Sequence, residues 1–230
     1  MIENPKRKHP AHCVDLLRTK LELASQRAFI ARGSNTVRCP SCLMSESACF
    51  CSERTSITSP IQFTLLYHNT EIHKPTNSGR LLADLFPNQT EAYLWSRTEP
   101  EEALLERLNA FKGNTAILFP ETEKRKASGN YLSAETAENK IEHIILLDAT
   151  WRLASKMLHQ SRWLDDIPTY SISSEAIRSF KTRHAKHDHQ FATAEVASMC
   201  LESLHAREEA LALFKYYNIF NERSMTSRRR

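Results

Sequence analysis

Four of the six cysteines crowd into one short segment: Cys39-Pro-Ser-Cys42, then six residues on, Cys49-Phe-Cys51. Four thiolates so close in the chain can wrap a tetrahedral ion, and an all-sulfur shell leaves no open position for chemistry, so such a site is structural. Zinc is the natural occupant. An iron–sulfur cluster competes, because four thiolates suit it as well. The C-x-C half is tighter than the usual C-x2-C spacing. In a chain without a secretory signal this density does not read as a disulfide framework. Cys13 and Cys200 stand alone and read as ordinary helix residues.

The second cluster of chemistry is EHIILLDATW, Glu142 to Trp151. An apolar run ends on Asp148, and a large aromatic follows three residues later. Asp148 and Thr150 can simply cap the next helix. Trp151 can pack in a core or stack on a nucleobase or an adenine. Other polar clusters follow apolar runs in the same way. One is His68-Asn-Thr-Glu71-Ile-His73-Lys74, which leads to Asn77-Ser78-Gly79; another is Phe119-Pro120-Glu121. The Asn77–Gly79 turn either caps a helix or offers its amides to an anion. His68 and Glu71 read as a local hydrogen-bonded pair in preference to metal ligands.

These residues need elements to hold them. Apolar spacing predicts a helix over 12–31, a strand Ile61–Tyr67, and a helix opened by Asn77–Gly79 that runs through Ala83. Next come a strand Ala92–Trp95, a helix Pro100–Phe111, a strand Thr115–Phe119 and a polar loop over 121–139. A strand Ile141–Leu147, a helix Trp151–His159, a strand Pro168–Ile172 and one long helix Thr193–Phe214 complete the series. Thr193 is expected to cap that last helix, with Glu195 favouring its dipole. Alternating strands and helices predict an α/β fold with a mostly parallel sheet covered by helices. Ile144–Leu147 is apolar at every position, as a central parallel strand requires. Ligands of such sheets bind beyond the carboxyl ends of the strands, where the polar clusters fall.

Composition sets limits. The 230 residues are 41% hydrophobic and carry 31 Lys and Arg against 27 Asp and Glu, a net charge of +4. Gly33, Gly79, Gly113 and Gly129 are the only glycines, so neither a G-x-G-x-x-G nucleotide turn nor a phosphate-binding P-loop is possible. No run is long and apolar enough for a membrane helix, and a cytoplasmic location is expected. Basic residues cluster at Lys6–Lys8, at Arg228–Arg230, and in Arg178–His189, which holds four Lys or Arg and three His. Solvated surface explains any one cluster; together they point to a polyanion such as RNA.

Asp148-Ala149-Thr150-Trp151 after a buried strand resembles the signature of the DTW-domain family. The Cys39-x2-Cys42-x6-Cys49-x-Cys51 knuckle, the His68–Gly79 loop and the late Ala192-Thr193-Ala194-Glu195-Val196 resemble three further motifs of that family, in the same order. Ala192 and Val196 depart from the S-T-x-E-A pattern, which removes a hydroxyl at 192. The resemblance spans roughly 39–200. It implies an α/β fold similar to that of the knotted SPOUT-type methyltransferases, with the knot itself left open, and a bacterial tRNA-uridine aminocarboxypropyltransferase. Such an enzyme moves the 3-amino-3-carboxypropyl group of S-adenosylmethionine to N3 of a uridine in the tRNA variable loop, with structural Zn2+ and no obligate protein partner.

On that footing Asp148 is the expected general base. An exposed Asp, with a pKa of about 3.9, is too weak for the task, and burial beside Trp151 would raise it. Thr150 would fix the carboxylate or cap the helix, and Trp151 would shape the pocket. Asn77, Ser78 and Gly79 would hold the donor, with Phe119, Pro120 and Leu147 lining its adenine. Lys181, Arg183 and Lys186 would contact tRNA phosphates. The expected division is an N-terminal helix and zinc knuckle over 1–55, a catalytic domain over 56–220 and a basic tail over 221–230. An RNA methyltransferase of the same fold and a non-enzymatic zinc-containing RNA-binding adaptor are the competing readings.

Overall fold

The computed structural model describes residues 6–25, 36–133, 140–184 and 191–228. Strands β1 (Gln62–Tyr67), β2 (Thr90–Leu94), β3 (Thr115–Leu118), β4 (Tyr131–Leu132), β5 (His143–Asp148) and β6 (Thr169–Tyr170) form one sheet in the order β2-β1-β5-β3-β6-β4. Every pairing is parallel, so the sheet is wholly, not just mostly, parallel. The helices are α1 (Cys13–Ala24), α2 (Arg80–Leu85), α3 (Glu102–Ala110), α4 (Glu123–Ala127), α5 (Trp151–Gln160), α6 (Ser174–His184), α7 (Thr193–Ser203) and α8 (Arg207–Arg228).

The sheet grows outward on one side from β1 to β2 and on the other through β3, and β5 inserts between β1 and β3. That reversal is a topological switch point, and a crevice opens at the strand ends there. Tyr67 of β1 lies level with Asp148 of β5. All six residues of β5 are buried, so the strand is covered on both faces.

Side-chain alternation divides the core. Ile145 and Leu147 pack with Leu104 of α3 and with Ala154, Met157 and Leu158 of α5. Ile144 and Leu146 face the larger cluster, built with Leu81, Leu82 and Leu85 of α2, Ala197 and Leu201 of α7, and Leu213 and Phe214 of α8. His143 opens β5 between the hydroxyls of Thr64 (2.8 Å) and Thr115 (3.0 Å). Its burial, helped by nearby Arg107, pushes the ring's pKa down to about 3, so it is a neutral cross-strand bridge.

Three sequence expectations change. The 121–139 stretch is not all loop: it supplies α4 and the edge strand β4, whose two residues are too few to show a period. The Arg178 segment starts as helix α6, anchored by buried Phe180. The long C-terminal helix is two. It breaks at His205, which takes the left-handed conformation (φ 63°). Ala206 N–H donates to the Leu201 carbonyl (2.9 Å) and His205 N–H to that of Glu202 (3.1 Å), closing the end of α7. Glycine is usual at that position, so a histidine there gives no sequence signal. Helix α8 then runs to Arg228, through much of the stretch expected to be a tail.

The cysteine segment packs against the α/β core. Phe50 is fully buried, with its ring 5.3 Å from Tyr216 and 5.8 Å from Phe220 of α8. Arg80, on the first turn of α2, donates to the Ser41 carbonyl between the first two cysteines. Beside it Asp84 pairs with the charges of Arg54 (3.1 Å) and Arg80 (3.8 Å) and accepts from the His12 ring (3.2 Å) and Tyr216 Oη (3.3 Å). His12 Nδ1 accepts from Asp15 N–H, which leaves Nε2 as the protonated nitrogen facing Asp84. One carboxylate thus ties α1, the cysteine segment, α2 and α8 together.

Candidate active site at the carboxyl edge of the sheet

Asp148 ends the central strand. By alternation it continues the row Ile144–Leu146, so its side chain turns toward α2 and α7. It is 2% exposed. Asn77 donates its amide to Oδ1 at 2.5 Å. That amide is held in one orientation, because Asn77 Oδ1 accepts both from Tyr67 Oη (3.3 Å) and from the Arg80 N–H (3.3 Å). Among the described residues, Oδ2 has no hydrogen-bond partner. A carboxylate oxygen without a partner in a buried place is costly, and such groups concentrate at functional sites.

Gly79 makes this approach possible. A Cβ on Gly79 would lie 2.0 Å from Asp148 Oδ2 and 3.1 Å from Tyr67 Oη. Its φ is −58°, an ordinary helical value, so the glycine is required for space and not for backbone freedom.

Burial is the first cause of Asp148's raised pKa, about 6. Hydrogen bonds from Asn77 and Thr193 oppose the rise, Glu71 adds to it, and Lys74 lowers it. The carboxyl is therefore poised near neutrality, where a general base is most effective.

The expected neighbour Trp151 does not bury Asp148. It starts α5 on the other face of the sheet, 57% exposed, with its ring stacked on Phe119 (5.2 Å between centroids, 10° between planes). Thr150 occupies the N-cap of α5 but makes no side-chain cap bond. Trp151 and Phe119 instead wall a cavity of about 1010 Å3, with Pro120, Glu121, Leu146, Leu147, Ala149, Thr150, Ile172 and Thr193 among its other lining residues. Phe119, Pro120 and Leu147 thus share a wall. Asn77, Ser78 and Gly79 do not reach it; Asn77 and Gly79 lie against the carboxylate behind.

Ser78 has another task. Its Oγ accepts the Ala194 N–H (3.3 Å) at the start of α7. The N-cap there is Ala192, not Thr193. Alanine has no oxygen to offer, so Ser78 supplies one from α2's approach, and Glu195 accepts the Ala192 N–H (3.0 Å). Freed from capping, Thr193 lines the cavity and lies near enough to Asp148 for its hydroxyl to favour the charged carboxylate. The sequence offered a signal for it, a hydroxyl in the late motif, but read it as a cap. His68 and Glu71 bond through the backbone, the Glu71 N–H donating to the His68 carbonyl (2.9 Å), while their side chains go elsewhere: His68 Nδ1 pairs with Thr70 Oγ1 (2.9 Å), and Glu71 accepts from Lys74 (2.6 Å).

The four cysteine sulfurs lie within 4.8 Å of one another, with Cys39 and Cys51 3.6 Å apart and Cys42 and Cys49 3.8 Å apart. Sulfurs about 2.3 Å from one tetrahedral ion sit about 3.8 Å apart. The group could hold a metal ion and fits one ion better than a cluster, whose thiolates bind separate irons. Lys8 donates to Cys49 (3.3 Å), and burial raises the Cys42 thiol to about 11. Of the expected phosphate contacts, Lys181 and Arg183 lie on α6, and Lys186 falls outside the described residues. Among the described residues no helix is long and apolar enough to cross a membrane.

A parallel α/β sheet with a large cavity at its switch point and a buried carboxylate behind it defines a ligand-binding protein with the parts of an enzyme. The chain belongs to the DTW-domain family, whose model matches residues 36–225. Membership is consistent with a tRNA-modifying transferase. No solved structure matches the chain.

Proposed function

We propose that the protein transfers the 3-amino-3-carboxypropyl group of S-adenosylmethionine to N3 of a uridine in tRNA, with Asp148 as the general base. The observation that carries this reading is the buried carboxylate at the end of β5, its pKa raised to about 6 and one oxygen left without a partner. It belongs to the segment that resembles the family signature.

The cavity's lining supports this donor. Phe119, Trp151 and Leu147 offer flat apolar surface for an adenine, while Thr193, Ser171 and Ser173 offer hydroxyls. S-adenosylmethionine supplies an electrophilic carbon on a sulfonium. The new bond joins uracil N3 to that carbon as the carbon–sulfur bond breaks, and the electron pair leaves on sulfur as a neutral thioether. The N3 proton must depart. Thr193 lines the cavity and lies close to Asp148, so its hydroxyl can take that proton while passing its own to the carboxylate. Asn77 keeps the carboxylate aimed. All three carbons on the sulfonium are electrophilic, so orientation in the cavity must select one. Zinc in the four-cysteine site would serve structure alone.

Two labelled donors with unmodified tRNA test the reaction. Label from the carboxyl carbon should enter the RNA and label from the methyl should not. Methyl transfer would overturn the proposed chemistry and leave the donor. Transfer of neither label would sink the enzymatic reading.

A further inference from the structure

Helix α5 begins at the cavity mouth with Trp151 and carries Arg152, Lys156 and His159 on one exposed face, at the spacing of successive turns. Its opposite face, Ala154, Met157 and Leu158, is buried. From Ala149 to Leu164 there is no Asp or Glu, and exposed Arg162 extends the same positive run.

Two features of this face favour an anionic partner. The first is pairing. Lys20, Lys74, Arg107 and Lys126 each hold a carboxylate oxygen within 2.6–2.8 Å. Among the described residues, Arg152 and Lys156 pair with none. The second is position. Arg152 sits in the first turn of α5, where the helix dipole already presents positive charge and no acidic residue offsets it. A cation there lowers helix stability and strengthens the attraction for an anion. The exposed side chains line a shallow groove of about 460 Å3 along the helix. Nearby, His68 stacks on Trp95 (5.8 Å, 22°); burial lowers its pKa, Glu71 opposes that, and Lys156 and Lys74 add to it.

We infer that the exposed face of α5 docks the sugar–phosphate backbone of the RNA whose uridine enters the adjacent cavity, with Arg152 and Lys156 as its phosphate contacts. The inference rests on the reading of tRNA as substrate. It places backbone contacts on the helix that begins at the cavity, so that binding a phosphate near the helix start registers the base against Trp151.

Binding of fluorescently labelled, unmodified tRNA should be followed by anisotropy over a range of salt concentrations. The proteins compared are wild type, Arg152→Gln/Lys156→Gln, and Lys181→Gln/Arg183→Gln. For the α5 pair, the slope of log affinity against log salt should fall by about 2, with a loss on the order of 30-fold near 0.1 M salt. The thermal shift produced by S-adenosylmethionine should be unchanged, because neither residue lines the cavity. Unchanged slope and affinity in the α5 variant, with wild type binding normally, would overturn the docking face and leave the function intact. A weakened donor shift alongside weakened RNA binding would also count against it, since the damage would then lie in the cavity. Failure of the wild type to bind tRNA would overturn the substrate reading itself.

Discussion

Asp84 and Asp148 are equally buried, 1% and 2% exposed, and both touch the short segment from Asn77 to Asp84. Their surroundings drive them in opposite directions. Arg80 and the His12 and Arg54 groups beside Asp84 hold its carboxyl below the usual range, despite burial. Asp148 has one amide and one hydroxyl against the same burial, and its pKa rises to about 6. Asp84 has the partners of a structural charge and holds four elements together. Asp148 has been left short of partners, at a cost in stability, where a proton acceptor is useful.

Removing each charge should break this symmetry most sharply. Asp84→Asn leaves Arg80 and Arg54 buried without their counter-charge and should destabilise the fold by about 3–5 kcal/mol in denaturant unfolding. A loss below 1 kcal/mol would show that the network contributes little.

Asp148→Asn should act the other way. It preserves shape, and its carbonyl can still accept from Asn77. A carboxyl raised from about 3.9 unfolded to about 6 folded favours the folded state fully only below pH 4. That advantage is lost as pH rises through 6, so near pH 7.5 the wild type bears a cost of up to about 3 kcal/mol that the variant escapes. The variant should be more stable at neutral pH, with the gain vanishing below about pH 4. Asp84 has the opposite sign: its lowered pKa adds stability above the unfolded value, and that is lost as pH falls through the folded one. Turnover in Asp148→Asn should drop by about 10²–10⁴, and the wild-type rate should rise with pH through an acid limb near 6. Full turnover in the variant would remove the general base from the mechanism.

Gly79→Ala sharpens the comparison with the smallest stability change, about 1–3 kcal/mol. Its methyl would displace the Asp148 carboxylate yet leave Asp84, five residues further along the chain, untouched. Activity should therefore fall far more than stability. Equal losses in the two would make the close approach a packing feature only.

Much of this arrangement was legible. The apolar run 144–147 could only be a central strand, and the cysteine spacing marked a candidate metal site, open to zinc or an iron–sulfur cluster. Asp148, Phe119, Pro120 and Leu147 were placed at strand ends by pattern alone. The misplacements share a cause. Trp151 is three residues from Asp148 in sequence, but a strand end and a helix start direct their side chains to opposite faces of the sheet. Thr193 looked like a helix cap because capping is a local rule; Ser78, more than a hundred residues away, performs part of that task. The break at His205 lacked its usual glycine, and β4 was too short to show alternation.

The sequence by itself determined most of the strand–helix alternation, the α/β class with its mostly parallel sheet and the carboxylate that ends the central strand, because hydrophobic period and strand ends are local properties. Only the tertiary structure decided how that carboxylate behaves. The pKa of Asp148 depends on Gly79 making room, Tyr67 and Arg80 orienting Asn77, and Thr193 closing the other side. Those groups meet only when β1, α2, β5 and α7 are packed together.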